Sequence, residues 1–341
     1  MKLTSLLAAA SIAALGAGAA LADAHGGKVK VGMITTLSGG GAGLGIDVRD
    51  GFVLAAKGND GIELVIEDDQ RNPDIAVQLA DKMIQSEKVD VMTGIIWSNL
   101  AMAVVPAATA QGKFYLSPNA GPSALAGKGC SPLYFNVSWQ NDAFNEAAGS
   151  WANENDINKV FLMAPNYPAW QDMIAGFKRT YEGDVVEEIY TKLGQTDYAA
   201  EIAQMRASDA DTVYFFLPGG MGISFMKQYA GSGVDKKVMG PAFSFDQGIL
   251  GAIGEAALGV KNTAHWSKDI DNEANKKFVA DFEAEFGRLP SLYAAQGYDT
   301  ALLLISAMGK ADVKDTDAFQ AALEEADFAS VRGDFAFAPN H

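Results

Sequence analysis

Cysteine and histidine are nearly missing from this chain of 341 residues, which holds one Cys (Cys130) and three His (His25, His265 and His341). A single cysteine excludes an intramolecular disulfide and a Cys-based zinc centre. Two of the histidines lie near the chain ends, so little material remains for a metal site or a triad. No HExxH and no GxSxG occurs. Basic residues are scarce as well: 26 Lys and Arg stand against 42 Asp and Glu, a net charge of −16. Such a chain repels polyanions, so nucleic acid is excluded as a partner, and Lys236-Lys237 is too short a run to act as a local patch. What is present is apolar: 49% of residues are hydrophobic, 10% aromatic and 20% charged. That composition fills cores and does not read as disorder. The length suits two domains or one large one.

Residues 1–24, MKLTSLLAAASIAALGAGAALADA, combine a basic Lys2, an apolar run from Leu6 and the small-residue pattern Ala20-Leu21-Ala22. This reads as a secretory signal peptide cleaved after Ala22, with Ala24 as the neighbouring choice. Removing residues 1–22 takes away Lys2 and no acid, leaving 25 basic residues against 42 acidic ones, a net −17. No cysteine follows the cleavage site, so a lipid anchor there is not supported. The expected location of the free mature protein is a Gram-negative periplasm.

From Val29 the pattern alternates strand and helix. Strands are expected at Val29–Thr35, Ile62–Glu67, Val89–Thr93 and Phe114–Ser117, followed by a long loop over Pro118–Pro132. A second series starts near Asp142, with strands at Val160–Ala164, 185–190, Thr212–Leu217, Lys237–Gly240 and Gly259–Ala264. Three helical stretches follow, 271–286, 291–309 and 315–325, and then Gly333–Ala338 (GDFAFA) alternates like an edge strand. Continuous apolar strands between amphipathic helices imply parallel sheets covered on both faces. The fold class is therefore α/β: two doubly wound parallel-sheet lobes in tandem, with a ligand cleft between the C-terminal ends of their strands.

The loops at that edge hold the candidate chemistry. Leu37–Gly45 is glycine-rich, but no Gly triple in it has the dinucleotide spacing: the third position falls on Leu44, Ile46 or Val48. GxxxxGK[ST] is absent too, so a nucleotide contact at Asp68 or Asp69 has no fingerprint behind it. Ser38 and the loop amides can instead turn a helix or face a ligand between lobes. Trp97-Ser98-Asn99 after strand three and Asn119-Ala120-Gly121 after strand four offer small polar side chains at helix starts. Free N–H groups and partial positive charge there suit a carboxylate, and ordinary capping by Ser98, Asn99 or Ser123 reads equally well. Trp97, Trp139, Tyr167, Trp170, Phe243 and Phe245 also sit in or next to post-strand loops, where they can wall a flat ligand or simply pack. His265 has no evident catalytic partner.

The stretches VGMITTLSGGGAGLGIDVRDGFVLA, YLSPNAGPSALAGKGCSPLYFNVSWQND and AAQGYDTALLLISAM resemble the type I periplasmic solute-binding proteins of ABC importers, in the leucine/isoleucine/valine-binding branch. The resemblance runs over 28–341. It implies three crossings between lobes, with lobe one at 27–139 plus 267–327 and lobe two at 140–266 plus 328–341. The family continues beyond a stretch like Asn340-His341, so the last ribbon of lobe two is expected to be incomplete. Carried over residue by residue, the carboxylate loop corresponds to Trp97, Ser98 and Asn99, and the second ligand loop to Asn119, Ala120 and Gly121. The second-lobe aromatic corresponds to Tyr167, and a further contact falls at Leu217-Pro218-Gly219-Gly220. Amino-acid binders place a carboxylate after the strand that ends here at Gly240. This chain has Phe243 and Ser244 there, with Asp246 offset. Either Asp246 reaches the ligand's ammonium or the ligand has none. The resemblance thus implies a monomer with no cofactor and no catalysis. It would close on a small carboxylate solute, an aromatic or other organic acid or an amino acid, and hand it to an inner-membrane ABC permease. A sensor docking a membrane receptor and an exported α/β enzyme are the alternatives.

Overall fold

Short apolar strands with no polar face can be stable only when helices cover both sides of their sheet. The computed structural model, which describes residues 28–341, shows two such sheets. The leader assigned to 1–22, and His25, lie outside the described residues. The first lobe runs β1 (Val29–Thr35), α1 (Ala42–Ala56), β2 (Ile62–Asp68), α2 (Pro73–Lys82), β3 (Val91–Thr93), α3 (Ser98–Ala110), β4 (Phe114–Ser117), α4 (Ser123–Ala126) and β5 (Tyr134–Asn136). Its strands are all parallel, in the order β2-β1-β3-β4-β5.

The second lobe follows as α5 (Ala143–Glu154), β6 (Lys159–Pro165), α6 (Pro168–Thr180), β7 (Asp184–Thr191), α7 (Ala199–Ala207), β8 (Thr212–Phe215), α8 (Gly220–Ser232), β9 (Lys237–Pro241), α9 (Gln247–Ile253) and β10 (Lys261–Thr263). Its parallel order is β10-β9-β8-β6-β7, the same winding read from the other edge. Chain order reverses between β1 and β3 in one sheet and between β6 and β8 in the other. These switch points are where doubly wound sheets open a crevice.

The chain then returns to the first lobe as α10 (Glu273–Phe286), α11 (Leu292–Met308) and α12 (Thr316–Glu324). Glycine allows α11 to lie directly on α1. A methyl group at Gly297 would overlap the Val48 carbonyl, and one at Gly51 would overlap the Ala294 carbonyl. In the second lobe α5 and α6 cross the same way, with Gly149 against the Phe177 carbonyl and Gly176 against the Asp142 carbonyl. Each lobe is thus clamped by one close helix pair.

Two expectations need correction. Gly333–Ala338 is not a strand, and residues 328–341 do not join the second lobe. Phe335 and Phe337 pack with the first lobe's core, and the His341 ring stacks on Phe135 of β5 at 4.2 Å. Asn136 donates its N–H to the His341 carbonyl at 3.1 Å. Alternating phenylalanines found an apolar flank on β5 without a hydrogen-bonded ladder. Arg332 explains the turn-back: its guanidinium donates to the Val137 and Ser138 carbonyls at 2.7 Å each and to Asp299 at 2.9 Å. Only two crossings are therefore seen among the described residues, at about 137–142 and 264–272.

The α1–α11 contact predicts opposite outcomes for one substitution at two helical glycines. Gly297→Ala should cost about 1–3 kcal/mol through overpacking. Gly231→Ala, exposed in α8 with open space around it, should be neutral or stabilising by up to about 1 kcal/mol. Chemical denaturation of the two variants checks this.

Candidate ligand-binding site

Three helices that start at the facing strand edges lack a side-chain cap. Trp97 precedes α3, Tyr167 precedes α6 and Gly219 precedes α8, and none of them accepts a hydrogen bond from its helix. The starts of α1, α4 and α7 lack one as well, and the other six helices are capped by Asn72, Asp142, Asp246, Asn272, Ser291 and Asp315. Backbone donors and partial positive charge at the uncapped starts are left for something else.

Between the starts of α3 and α6 lies a small cavity. Its walls are Leu44, Ile96, Trp97, Ser98, Asn119, Ala120, Trp139 and Asn141 on the first lobe and the crossing, with Tyr293 from α11. Tyr167, Ala169, Met173, Phe216, Pro218 and Phe243 complete it from the second lobe. The free space is about 20 Å³, room for one water molecule. A ring-sized solute therefore enters only as the lobes part or the wall rings retreat. The rings pack on one another: Trp139 and Phe243 at 4.5 Å, Phe243 and Tyr293 at 5.7 Å, Tyr167 and Phe216 at 6.2 Å, Trp97 and Tyr167 at 6.3 Å. Burial pushes the Tyr167 and Tyr293 phenols well up, so both are neutral.

Trp97 is held from behind. Its Nε1–H donates to Thr36 Oγ1 at 2.9 Å, and that hydroxyl donates to Asp69 Oδ1 at 2.7 Å. The same Asp69 oxygen accepts the Arg71 N–H at 2.7 Å and fixes Arg71 in the left-handed region, φ 57°. The Arg71 guanidinium then lies 5.5 Å over the Trp97 ring. Asp68 accepts the Leu37 N–H at 2.8 Å. The acidic pair at the end of β2 braces two loops.

Trp97, Ser98, Asn119, Ala120, Trp139, Tyr167 and Phe243 were all expected at the site, and the structure brings them together around this cavity. Ser98 is buried, and its Oγ accepts from Asn141 Nδ2 at 3.2 Å, which leaves its own O–H free to donate. Other expected residues lie elsewhere. Ser38 is exposed, because the loop turns outward through a short 3₁₀ turn at Gly39–Gly41. Asn99, second in α3, does not reach the cavity wall. Gly121 is packed under the first crossing, where a side chain would overlap the Trp139 carbonyl. Trp170 is wholly inside the second lobe, edge-on to Tyr190. Ser244 is turned inward and accepts the Leu217 N–H at 2.8 Å.

Gly219 and Asp246 line a separate groove at the cleft mouth, together with Leu44, Ile223, Ile249 and Leu289. Asp246 accepts the N–H of Gly248 at 2.8 Å and, across the cleft, that of Leu292 at 3.1 Å. It is thus used in closing the lobes and does not face the cavity. Sequence reasoning missed Asn141 and Tyr293. Asn141 sits in the crossing, where no strand–helix signal operates, and Tyr293 comes from a helix far along the chain. His265 packs behind Phe243 at 5.9 Å, and burial pushes it down to about 3. It accepts from Gln296 Nε2 at 3.2 Å as a neutral ring. Among the described residues no group of His, Cys, Asp or Glu is placed to hold a metal, and no helix is long and apolar enough to cross a membrane.

The sequence profile of the periplasmic binding protein family matches residues 28–341. The chain belongs to that family. It is 29% identical over 98% of its length to the Leu/Ile/Val-binding protein homolog 6 of Brucella melitensis, 88% of which is covered. Among solved structures, a solute-binding protein of an ABC transporter from R. palustris in complex with benzoate superposes with a TM-score of 0.89 at 33% identity. That match spans 92% of this chain and 90% of the other. A solute-binding protein from Rhodopseudomonas palustris BisB5 in complex with 3,4-dihydroxy benzoic acid gives 0.80 at 32%, over 90% and 87%. The chain is thus a periplasmic binding protein with the two-lobed parallel-sheet architecture of ABC-transporter solute-binding proteins.

The surroundings of Asp246 predict a pH-dependent stability of the fold. Burial, and next the nearby Asp47, push it up to about 7 from the ordinary carboxyl value. A carboxyl raised in the folded state favours folding most fully below its unfolded pKa of about 4. That contribution is lost as pH rises through about 7. Thermal stability should therefore fall between pH 5 and pH 8, and Asp246→Asn should flatten the fall. Melting curves across that range measure it.

Proposed function

We propose that this protein is the solute-binding component of an ABC importer and traps a small aromatic carboxylate by closing its lobes. The single observation that carries the reading is the composition of the cavity wall: aromatic rings, two amides, the Ser98 hydroxyl, the neutral phenols of Tyr167 and Tyr293 and a helix start, with no carboxylate and no basic side chain. A buried ammonium without a counter-charge is costly. That disfavours an α-amino acid, and Asp246, the one carboxylate that could have served, is bound to Leu292. A solute carboxylate is met by the α3 start, by the Ser98 hydroxyl and by Trp139 Nε1–H, which is buried without a partner. The benzoate-bound neighbour supports the same class.

On this reading the solute docks on Trp97 and Ser98 of the first lobe. The second lobe then swings over it with Tyr167, Phe216 and Phe243. No bond is made or broken. The closed form delivers its solute to an inner-membrane permease. The protein acts as a periplasmic monomer after loss of residues 1–22.

A thermal-shift panel tests the solute class. At 100 times Kd a true ligand stabilises the fold by about 2.7 kcal/mol, so benzoate and its ring-substituted analogues should raise Tm while leucine and other α-amino acids do not. A strong leucine shift with no response to aromatic acids would sink the reading. In Trp97→Ala and Tyr167→Ala the shift should vanish while the unliganded proteins still melt cooperatively. Unchanged affinity in both variants would remove the cavity from consideration.

A further inference from the structure

Five of the six arginines direct their guanidinium at an acceptor. Arg49 and Arg288 pair with Asp50, Arg179 with Asp142 and Arg332 with Asp299, and Arg206 donates to the Ser232 carbonyl at 2.8 Å. Arg71 makes no ion pair and no side-chain hydrogen bond among the described residues, and lies instead over the Trp97 ring, 5.5 Å from its centroid. Two features hold it there. Its backbone N–H is fixed by the buried Asp69, the carboxylate that also holds Trp97 through Thr36, so the cation and the ring share one anchor. Its guanidinium rests on the second lobe at Gly194, where a methyl group would lie 2.9 Å from Nη2 and 3.6 Å from Cζ and Nη1.

Strand order gives this contact its place in the cleft. Arg71 follows β2 and Gly194 follows β7. Both are edge strands, each at the far end of its sheet from the strand that leads into a crossing, β5 in one lobe and β10 in the other. Lobes that turn about the crossings part most widely at that edge. Arg71 therefore joins the lobes where they separate most, and it does so against a residue of the cavity wall.

We infer that Arg71 closes the mouth of the cleft: its guanidinium bridges from the Trp97 ring to the Gly194 loop and slows the escape of a bound solute. A planar guanidinium can lie between a ring and a bare backbone, whereas an ammonium has no plane to lay there. Arg71 is only half-buried, so its unpaired donors stay in water and the bridge carries little desolvation cost. Gly194 leaves the guanidinium room that any side chain would take. The inference goes beyond the aromatic-carboxylate reading and does not rest on it, because Arg71 is no part of the cavity wall.

Stopped-flow tryptophan fluorescence tests this on the wild type, Arg71→Ala, Gly194→Ala and the double variant, with benzoate and leucine as the two probes. Arg71→Ala should raise the dissociation rate about fivefold, the worth of one partly desolvated cation–π contact, and most of the change in Kd should fall on that rate. Gly194→Ala, whose methyl group displaces the guanidinium, should raise it in the same direction. Gly194 has φ 86°, which strains alanine with or without Arg71. That strain cancels in the double-mutant cycle, so in the Arg71→Ala background the second substitution should add less than about twofold. Additive effects overturn the assignment, since the two residues then act apart. A change carried by the association rate and damped by salt also overturns it, by marking Arg71 as an attractor of anions in the open form. Unaltered rates in Arg71→Ala overturn it outright. Binding of leucine with no benzoate bound sinks the aromatic reading alone, and the same cycle is then read with leucine.

Discussion

Backbone donors at helix starts must find a partner when the two lobes exclude water, and the whole site is arranged around that constraint. At α3, α6 and α8 no side chain answers them. A carboxylate at such a start is held by neutral groups whose field is permanent. This explains a wall with no lysine or arginine in a protein proposed to hold an anion. The residues before these helices are a tryptophan, a tyrosine and a glycine. A Ser or Asp in their place would satisfy the donors from within and leave a solute nothing to bind.

The same chemistry closes the cleft. Asp172 of the second lobe accepts from the Ser123 N–H of the first, and Asp246 of the second accepts from Leu292 at the start of α11. Two carboxylates from one lobe thus rest on two backbone donors of the other, and the cavity lies between the lobes they join. The close glycine contacts, α1 with α11 and α5 with α6, lie one within each of the lobes so joined.

Much of the fold was legible because its strands are apolar on both faces. VKVGMIT, FYLS and TVYFF stand out from their amphipathic neighbours in any window. β5 was not, since three residues carry no period. Nor was the destination of 328–341, because GDFAFA has the pattern of an edge strand and only the apolar flank of β5 turns it into a cover. At the site, Trp97 and Tyr167 were readable as large aromatics stranded in loops after strands, and family resemblance pointed to the same two. Ser38 misled because a glycine run gives no sign of which way it bends. Asp246 could not be resolved from sequence, since whether it faces the cavity or Leu292 depends on the other lobe.

A cavity that its own rings nearly fill imposes a further condition on any solute. Trp139 against Phe243 and Tyr167 against Phe216 already make the contacts that an entering ring would make. Exchanging one aromatic contact for another of similar strength yields little net gain. Buried apolar area therefore cannot set the affinity here, although the wall is mostly apolar. The net gain must come from groups that the closed protein leaves unmet: the donors at α3 and Trp139, and the acceptors at Asn119 and Asn141. The rings then decide which solutes are flat enough to be admitted, and the few polar atoms decide which of those are kept.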